Sequence, residues 1–235
     1  MIIAANFKTN MSRLDTATYL NSLEDFCKNN NISQDVLVFP ATTSLDAHKG
    51  SVTIGAQNAY PVVNGAYTGE IGSQHLEEFG IKTILIGHSE RRHILGETQE
   101  EIAKKFNYFK ELGFKIVYCI GESLEVRKAG NETMMKYLKT QLEGIDLDYE
   151  NLIIAYEPVW AIGTGLTPTL EDIQNLHTTL KDICKKPLLY GGSVKVANAN
   201  EVLSLENVDG VLVGGASLDV KDFSTMISYA QNIKK

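Results

Sequence analysis

The sequence predicts a (β/α)8 barrel, in which eight parallel strands alternate with helices and close into a cylinder. Eight short apolar segments recur along the 235 residues, and most are continuous runs of Val, Ile and Leu. Such runs are typical of parallel strands that are covered on both faces. Segments of helical periodicity separate most of them. The predicted strands are 2–7, 36–39, 52–57, 83–87, 115–120, 152–157, 187–190 and 210–213.

The helical segments support the same architecture. In the clearest one, Thr98 and Glu101 have the spacing of a capping box, and Gly113 provides a stop. Its apolar stripe consists of Ile102, Phe106 and Phe109. Similar stripes occur at 19–27 and 173–183, whereas the segment after the second strand has the weakest helical pattern.

The strand and helix pattern runs through the sequence without an interruption, which indicates a single domain. No linker rich in Pro or Ser divides the sequence, so we expect residues 1–235 to form one barrel domain. A doubly wound sheet with an added domain is the less favoured alternative.

Composition limits the possible functions. The formal charge is −7 and no run is rich in Lys or Arg, which argues against a nucleic-acid partner and a membrane surface. The three cysteines are far apart and form no C-x-x-C pair, so neither a disulfide framework nor a zinc site is expected. No apolar stretch has the length of a membrane span and no export signal is recognisable. We therefore expect a cytoplasmic protein.

Polar residues follow several predicted strands, where a barrel carries its catalytic groups. An amide, a cation, an imidazole and a carboxylate are expected to meet at one rim. These candidates are Asn6 and Lys8 after the first strand, Gln57 and Asn58 after the third, His88 after the fourth, and Glu157 at the end of the sixth.

Glycines follow the last two strands. The sequences Gly191-Gly192-Ser193 and Gly214-Gly215 lie where barrels commonly bind phosphate through backbone N–H groups. No metal-ligand spacing and no Walker motif occurs, and the G-T-G at 163–165 does not continue as a dinucleotide fingerprint. The sequence therefore predicts acid–base chemistry on a small phosphorylated molecule, without a cofactor.

Each candidate also has a structural interpretation. Taken alone, Glu157 could be a rim carboxylate and His88 a hydrogen-bonded structural histidine. Lys8 is more consistent with function, because a lysine directly after an apolar strand is poorly explained by solvation. Glu90, Arg91 and Arg92 are interpreted as a structural ion-pair cluster or an interface.

Eight motifs together resemble the triosephosphate isomerase family, and they occur in order over the whole chain. They are A-N-F-K-T-N at 5–10, G-A-Q-N at 55–58, G-A-Y-T-G-E-I at 65–71, I-G-H-S-E-R-R at 86–92, C-I-G-E at 119–122, A-Y-E-P-V-W-A-I-G-T-G at 155–165, Y-G-G-S-V at 190–194 and G-V-L-V-G-G-A-S-L at 210–218. The resemblance implies a TIM barrel that interconverts dihydroxyacetone phosphate and D-glyceraldehyde 3-phosphate, in glycolysis and gluconeogenesis, without a cofactor.

The resemblance also implies residue roles. Glu157 would be the base, His88 the electrophile, and Asn6 and Lys8 further donors to the developing negative charge. The substrate phosphate would be bound by backbone N–H groups and one hydroxyl, those of Gly163, Gly192, Gly214, Gly215 and Ser193. Residues 158–168 would form a lid, whose end, Leu166-Thr167-Pro168, differs from the usual Lys-Thr-Ala of the family.

The family is usually dimeric, and the 57–72 loop is long and apolar enough to predict a homodimer here. In the family the tip of this loop, here around Thr68, enters the neighbouring subunit near the residues that correspond to Asn6 and Lys8. The sequence also allows two rival functions. One is an aldolase that uses Lys8 to form a Schiff base, and the other is a barrel that only binds a phosphorylated ligand.

Overall fold

Parallel strands form one sheet in a computed structural model that describes residues 1–162 and 168–233. The order across the sheet is β3-β2-β1-β8-β7-β6-β5-β4. The strands are β1 (Ile2–Asn6), β2 (Asp35–Phe39), β3 (Thr53–Ile54), β4 (Thr83–Ile86), β5 (Lys115–Ile120), β6 (Leu152–Tyr156), β7 (Leu188–Tyr190) and β8 (Gly210–Val213). This confirms the predicted (β/α)8 barrel.

Helices cover the outside of the sheet. They are α1 (Arg13–Asn29), α2 (Ser73–Glu78), α3 (Ser89–His93), α4 (Gln99–Glu111), α5 (Leu124–Lys128), α6 (Asn131–Thr140), α7 (Leu170–Ile183), α8 (Val196–Ser204) and α9 (Val220–Asn232). Between β2 and β3 the structure has only a short 3-10 turn, Thr42–Ser44, which confirms the weak helical prediction for this segment. No helix within the described ranges combines the length and the apolar character that crossing a bilayer requires.

The helix α4 forms for the reasons that its sequence indicates. The Thr98 hydroxyl accepts a hydrogen bond from Glu101 N, and the Glu101 carboxylate accepts one from Thr98 N at 2.8 Å. The apolar stripe on α4 is completely buried against the sheet, and each such side chain contributes about 1.5–3 kcal/mol through burial. Gly113 ends the segment with φ of +72°, a conformation that favours glycine.

The barrel closes between β3 and β4 through a single bridge. Ala56 N donates to Thr83 O and Leu85 N donates to Ala56 O, both at 2.9 Å. The sequence predicted a third strand over 52–57, but only Thr53–Ile54 pairs continuously with β2. That prediction was too long, because beyond Ile54 the segment keeps only the backbone bond from Gly55 N to Val38 O and the bridge at Ala56.

Side chains alternate along the strands between the barrel interior and the helices. The interior set, all buried, is Ile2, Ala4, Leu37, Phe39, Leu85, Val117, Cys119, Ile153, Ala155, Leu189 and Leu212. Because strand side chains repeat with a period of two, Asn6 continues the inward series on β1 and Glu157 continues it beyond β6. The strand pattern therefore delivers a polar amide and a carboxylate to the same end of the interior.

Candidate active site

A cavity of about 340 Å³ lies at the C-terminal end of the strands. It brings together nearly all of the predicted site residues: Asn6, Lys8, His88, Glu157, Gly192, Ser193, Gly214 and Gly215. Gly163 lies outside the described residues, and the candidates Gln57 and Asn58 line the neighbouring groove instead. The structure therefore brings these groups together at one end of the barrel.

Glu157 is the most deeply buried acid at this cavity, with 2% of the residue exposed. Its Oε1 lies 2.9 Å from His88 Nε2, and its Oε2 accepts a hydrogen bond from Ser89 N at 3.0 Å. Burial alone would raise the pKa of Glu157, but His88, the Ser89 N–H and the Lys8 charge together hold the pKa below the usual glutamate value. The carboxylate is therefore ionised at neutral pH.

His88 caps the N-terminus of α3 and faces Glu157. Its Nδ1 accepts a hydrogen bond from Glu90 N at 3.2 Å, which requires a lone pair on Nδ1. The ring geometry is thus that of a neutral imidazole that carries its proton on Nε2 and donates it to Glu157.

The electrostatics of His88 depend on where Glu157 lies. Burial lowers the pKa of His88, but the charge and hydrogen bond of Glu157 and the charge of Glu90 together raise it more, so the net shift is upward. If Glu157 turned toward a substrate, its contribution would weaken, and burial and the Lys8 charge would then oppose the charge of Glu90 alone. Moving Glu157 therefore shifts the pKa of His88 downward, toward the neutral form that the Nδ1 hydrogen bond indicates.

Lys8 occupies a strained backbone position at the mouth of the barrel. Its φ of +53° is uncommon for a non-glycine residue and costs on the order of 1 kcal/mol. Two side chains hold it: Lys8 N donates to Asn6 Oδ1 at 3.0 Å, and Gln57 Nε2 donates to Lys8 O at 2.8 Å. Gln57, predicted only as a rim residue, therefore supports Lys8.

Glu90 belongs to the site, which the sequence analysis missed. Its Oε1 accepts from Lys8 Nζ at 2.5 Å, so it is the ion partner of the candidate cation. The structural interpretation was correct for the two arginines: Arg91 pairs with Glu97, and Arg92 donates to backbone carbonyl groups at the ends of β4 and β5. Sequence alone could not show that the first turn of α3 points one carboxylate inward.

Among the glycines after β7 and β8, Gly215 borders open space, whereas an added Cβ at Gly192 would lie 2.2 Å from the Tyr190 hydroxyl. An added Cβ at Gly215 would meet no atom within 4 Å, so protein packing does not explain this glycine. A ligand phosphate on the backbone N–H groups would explain it. Lys195 also lines the cavity, two residues after Ser193, and is an exposed cation that the sequence analysis did not single out.

Asn58 has a structural partner instead of a place in this cavity. Its Oδ1 accepts a hydrogen bond from Lys105 Nζ at 2.9 Å. Lys105 is itself buried and also pairs with Glu97. The predicted candidate Asn58 thus links the end of β3 to α4 and lines only the neighbouring groove.

The segment after Glu157 begins with an anchored tryptophan. Trp160 Nε1 donates to Glu122 Oε1 at 2.9 Å, and the Arg127 guanidinium lies 5.8 Å from the centre of the indole ring. Burial raises the pKa of Glu122, although the hydrogen bonds from Trp160 and Tyr156 oppose this. Residues 163–167 of the predicted lid, including Leu166 and Thr167 of its second hinge, lie outside the described residues.

A second, larger groove of about 770 Å³ adjoins the cavity and shares Asn6, Lys8 and His88 with it. It does not include Glu157 or the glycines after β7 and β8. Ile94 and Leu95 line it and are 76% and 63% exposed. Large apolar side chains at such exposure are typical of a surface that contacts a partner.

Comparison with known proteins identifies similar sequences over the full length. The family model for triosephosphate isomerase matches residues 1–230. The triosephosphate isomerase of Sulfurimonas denitrificans is 63% identical over 235 residues, which cover 100% of this chain and 98% of that protein. That of Sulfurovum sp. is 58% identical over 227 residues, covering 97% and 99%. That of Helicobacter pylori (strain Shi470) is 50% identical over 231 residues, covering 97% and 98%.

Proposed function

Since the chain belongs to the triosephosphate isomerase family, we infer that its site interconverts dihydroxyacetone phosphate and D-glyceraldehyde 3-phosphate. This is a reaction of glycolysis and gluconeogenesis, and it moves one proton between adjacent carbons through an enediolate. The observation that carries the assignment of roles is the ionised Glu157 carboxylate lying 2.9 Å from His88 Nε2 at one small cavity.

Glu157 is proposed as the base. Its lowered pKa keeps it ionised, and its burial keeps water away from it, so it can accept the proton next to the substrate carbonyl. A substrate that enters the cavity must replace the bonds that Glu157 makes to His88 and Ser89. His88 Nε2–H then becomes available to the substrate oxygen.

His88, Asn6 and Lys8 are proposed to stabilise the enediolate oxygens. Preorganised donors aimed at developing charge contribute roughly 3 to 4 kcal/mol each. The hydrogen bond from Glu90 N fixes the His88 tautomer with its donor on Nε2. A neutral imidazole is close enough in proton affinity to an enediolate to pass a proton between its two oxygens. Lys8 adds fixed positive charge, held by its strained backbone.

The phosphate group is proposed to bind at the opposite side of the cavity. Backbone N–H groups of Gly192, Gly214 and Gly215 and the hydroxyl of Ser193 are the proposed donors, together with Gly163. The α8 helix begins close to Ser193, and the positive end of its dipole favours an anion there. Separate anchoring of the phosphate leaves the carbonyl end next to Glu157.

The Schiff-base alternative fits the site less well. Lys8 Nζ forms an ion pair with Glu90, and the ammonium in such a pair lacks the lone pair that attacks a carbonyl. No observation favours an aldolase or a barrel that only binds its ligand.

One assay tests the proposed function. Conversion of D-glyceraldehyde 3-phosphate is measured by coupling the dihydroxyacetone phosphate produced to NADH oxidation. In D2O, deuterium is expected to enter the carbon-bound position of the product. Binding of triose phosphate without turnover and without solvent exchange would refute the isomerase and favour a binding protein.

We also propose that the protein is a cytoplasmic homodimer of single-domain subunits. The 57–72 loop carries Val63 and Tyr67, which are 56% and 45% exposed. In a second copy of the chain, the groove that Ile94 and Leu95 line offers an apolar surface for this loop. Joining the two would cover both exposed apolar sets.

A further inference from the structure

Gln141 makes an unusual contact with the end of β5. It follows α6, is 4% exposed, and lies outside the substrate cavity. Its Nε2 donates to Gly121 O at 2.9 Å, and its Oε1 accepts from Gly121 N at 2.8 Å. A side-chain amide offers one donor and one acceptor as a peptide group does, so Gln141 pairs with Gly121 as a neighbouring strand would.

The position of Gly121 explains why such a partner is present. Peptide groups of successive strand residues point to opposite sides. Ile120 O accepts from Glu157 N at 2.7 Å on the β6 side, so the peptide groups of Gly121 point toward β4. However, β4 ends at Ile86 and the chain then turns into α3, which leaves a gap in the sheet. The Gln141 amide occupies that gap.

Gly121 also touches the backbone of the proposed base. A Cβ added at Gly121 would lie 1.8 Å from Glu157 O, so the two main chains are in direct contact. On either side of this contact, Ile120 O accepts from Glu157 N and Glu122 O accepts from Val159 N, at 2.7 and 3.1 Å. Residues 120–122 thus form the surface on which the Glu157 backbone lies.

We propose that Gln141 is a positioning residue for Glu157, acting through the backbone of Gly121. The inference rests on the proposed isomerase function. Gln141 holds the backbone of Gly121 on the side of β5 that faces away from β6. The Glu157 backbone is hydrogen-bonded to Ile120 on the side that faces β6. Because proton transfer tolerates little displacement of the base, and a misplacement of about 1 Å can cost roughly 100-fold, loss of this pairing is expected to slow the reaction itself. The proposed phosphate-binding groups of Gly192, Ser193, Gly214 and Gly215 follow β7 and β8, away from this pairing.

The test is a pair of variants with separate measurement of kcat and KM. Gln141→Met keeps the side-chain length and removes both hydrogen bonds. We expect kcat to fall roughly 10-fold to 100-fold, while KM for D-glyceraldehyde 3-phosphate changes less than about twofold. Gln141→Glu keeps the acceptor for Gly121 N but faces the acceptor Gly121 O with a second acceptor oxygen, so kcat is expected to fall in this variant too. Both are assayed well below their melting temperatures, which circular dichroism gives.

Tyr149→Phe is the matched control, because the Tyr149 hydroxyl donates to Phe114 O at 2.7 Å, next to the other end of β5. It removes a side-chain bond to the backbone at that end and should leave kcat unchanged. A folded Gln141→Met with parental kcat overturns the proposal. If that variant does not fold, parental kcat in Gln141→Glu overturns it. An inactive parent protein would instead refute the proposed function.

Discussion

At the scale of single residues, Glu157 and His88 are hydrogen-bonded to each other. The carboxylate accepts hydrogen bonds from His88 Nε2 and Ser89 N at 2.9 and 3.0 Å. In the proposed mechanism Glu157 and His88 would each exchange this bond for one to the substrate, so neither would be left as an unpaired buried polar group. This exchange limits the desolvation cost of keeping a carboxylate fully buried.

Shortening the base tests its reach. Glu157→Asp draws the carboxylate back by one methylene, so we expect kcat to fall by roughly 100-fold or more with a much smaller change in KM. Steady-state kinetics in both reaction directions measure this. Glu100→Asp, the same change at an exposed residue of α4, should be neutral. An unchanged kcat in Glu157→Asp would remove Glu157 from its proposed role.

The ionisation of Glu157 should depend on His88. The pKa of His88 is raised and that of Glu157 is lowered, so as the pH falls the first proton taken by the pair goes to the imidazole. In His88→Gln the amide cannot take that proton, and burial then raises the pKa of Glu157. The infrared band of the protonated carboxyl group, assigned with Glu157→Gln, should appear at higher pH in His88→Gln than in the parent. Appearance at the same pH would show that His88 does not stabilise the carboxylate.

Sequence reasoning found the residues of the site that lie in register with the strands. Asn6 and Glu157 were predictable because each extends an inward apolar series by two positions at a strand end. Glu90 was assigned a structural role only, because nothing in I-G-H-S-E-R-R tells which way the first turn of α3 points. Gln141 has no sequence signal at all, since its two bonds reach a backbone group 20 residues away.

At the scale of elements, the join between β3 and β4 is the weakest part of the barrel. The other neighbouring strands pair over two to five residues, whereas β3 and β4 share one bridge at Ala56. A buried polar link reinforces the join, because Lys105 on α4 binds Asn58 beyond β3 and Glu97 before α4. Its contribution should exceed that of an exposed ion pair.

Removing this link should destabilise the fold. Lys105→Met removes the cation from Asn58 and leaves Glu97 with Arg91 as its ion partner, so we expect the free energy of unfolding to drop by roughly 1.5–3 kcal/mol. Urea unfolding followed by circular dichroism measures the change. The control is Lys82→Met, which breaks the half-exposed pair with Glu77 and should cost less than about 1 kcal/mol. Equal losses in the two variants would contradict the role of Lys105.

Strand boundaries were predictable where the apolar run ends abruptly. The observed β5 and β8 match the predicted ranges, since each is a short apolar run followed by glycine. The third strand was predicted too long, because buried residues continue past Ile54 while regular pairing with β2 ends there and only one bridge to β4 follows. Sequence reports burial in such a segment, and the pairing depends on strands far away in the chain.

At the scale of the whole molecule, the proposed dimer interface and the proposed active site share residues. The groove that would receive the partner loop is lined by Asn6, Lys8 and His88, which also line the substrate cavity. A partner loop seated there would shield Lys8 and its strained backbone from water. Dissociation of the proposed dimer into subunits should therefore lower the isomerase activity as well as the particle mass.

A charge placed in the groove tests this coupling. Leu95 is 63% exposed in the single chain, so Leu95→Glu should cost the isolated subunit little but should oppose an apolar interface. We expect the parent to sediment at twice the chain mass of 25.9 kDa and Leu95→Glu to shift toward the chain mass itself, with kcat falling at least roughly tenfold. Leu124→Glu, at an exposed leucine that does not line the groove, should change neither the mass nor kcat.

A parent that sediments as a monomer with full activity would contradict both the homodimer and the dependence of Lys8 on a partner subunit. A monomeric Leu95→Glu variant with parental kcat would contradict only the dependence, because each subunit would then hold its site without help.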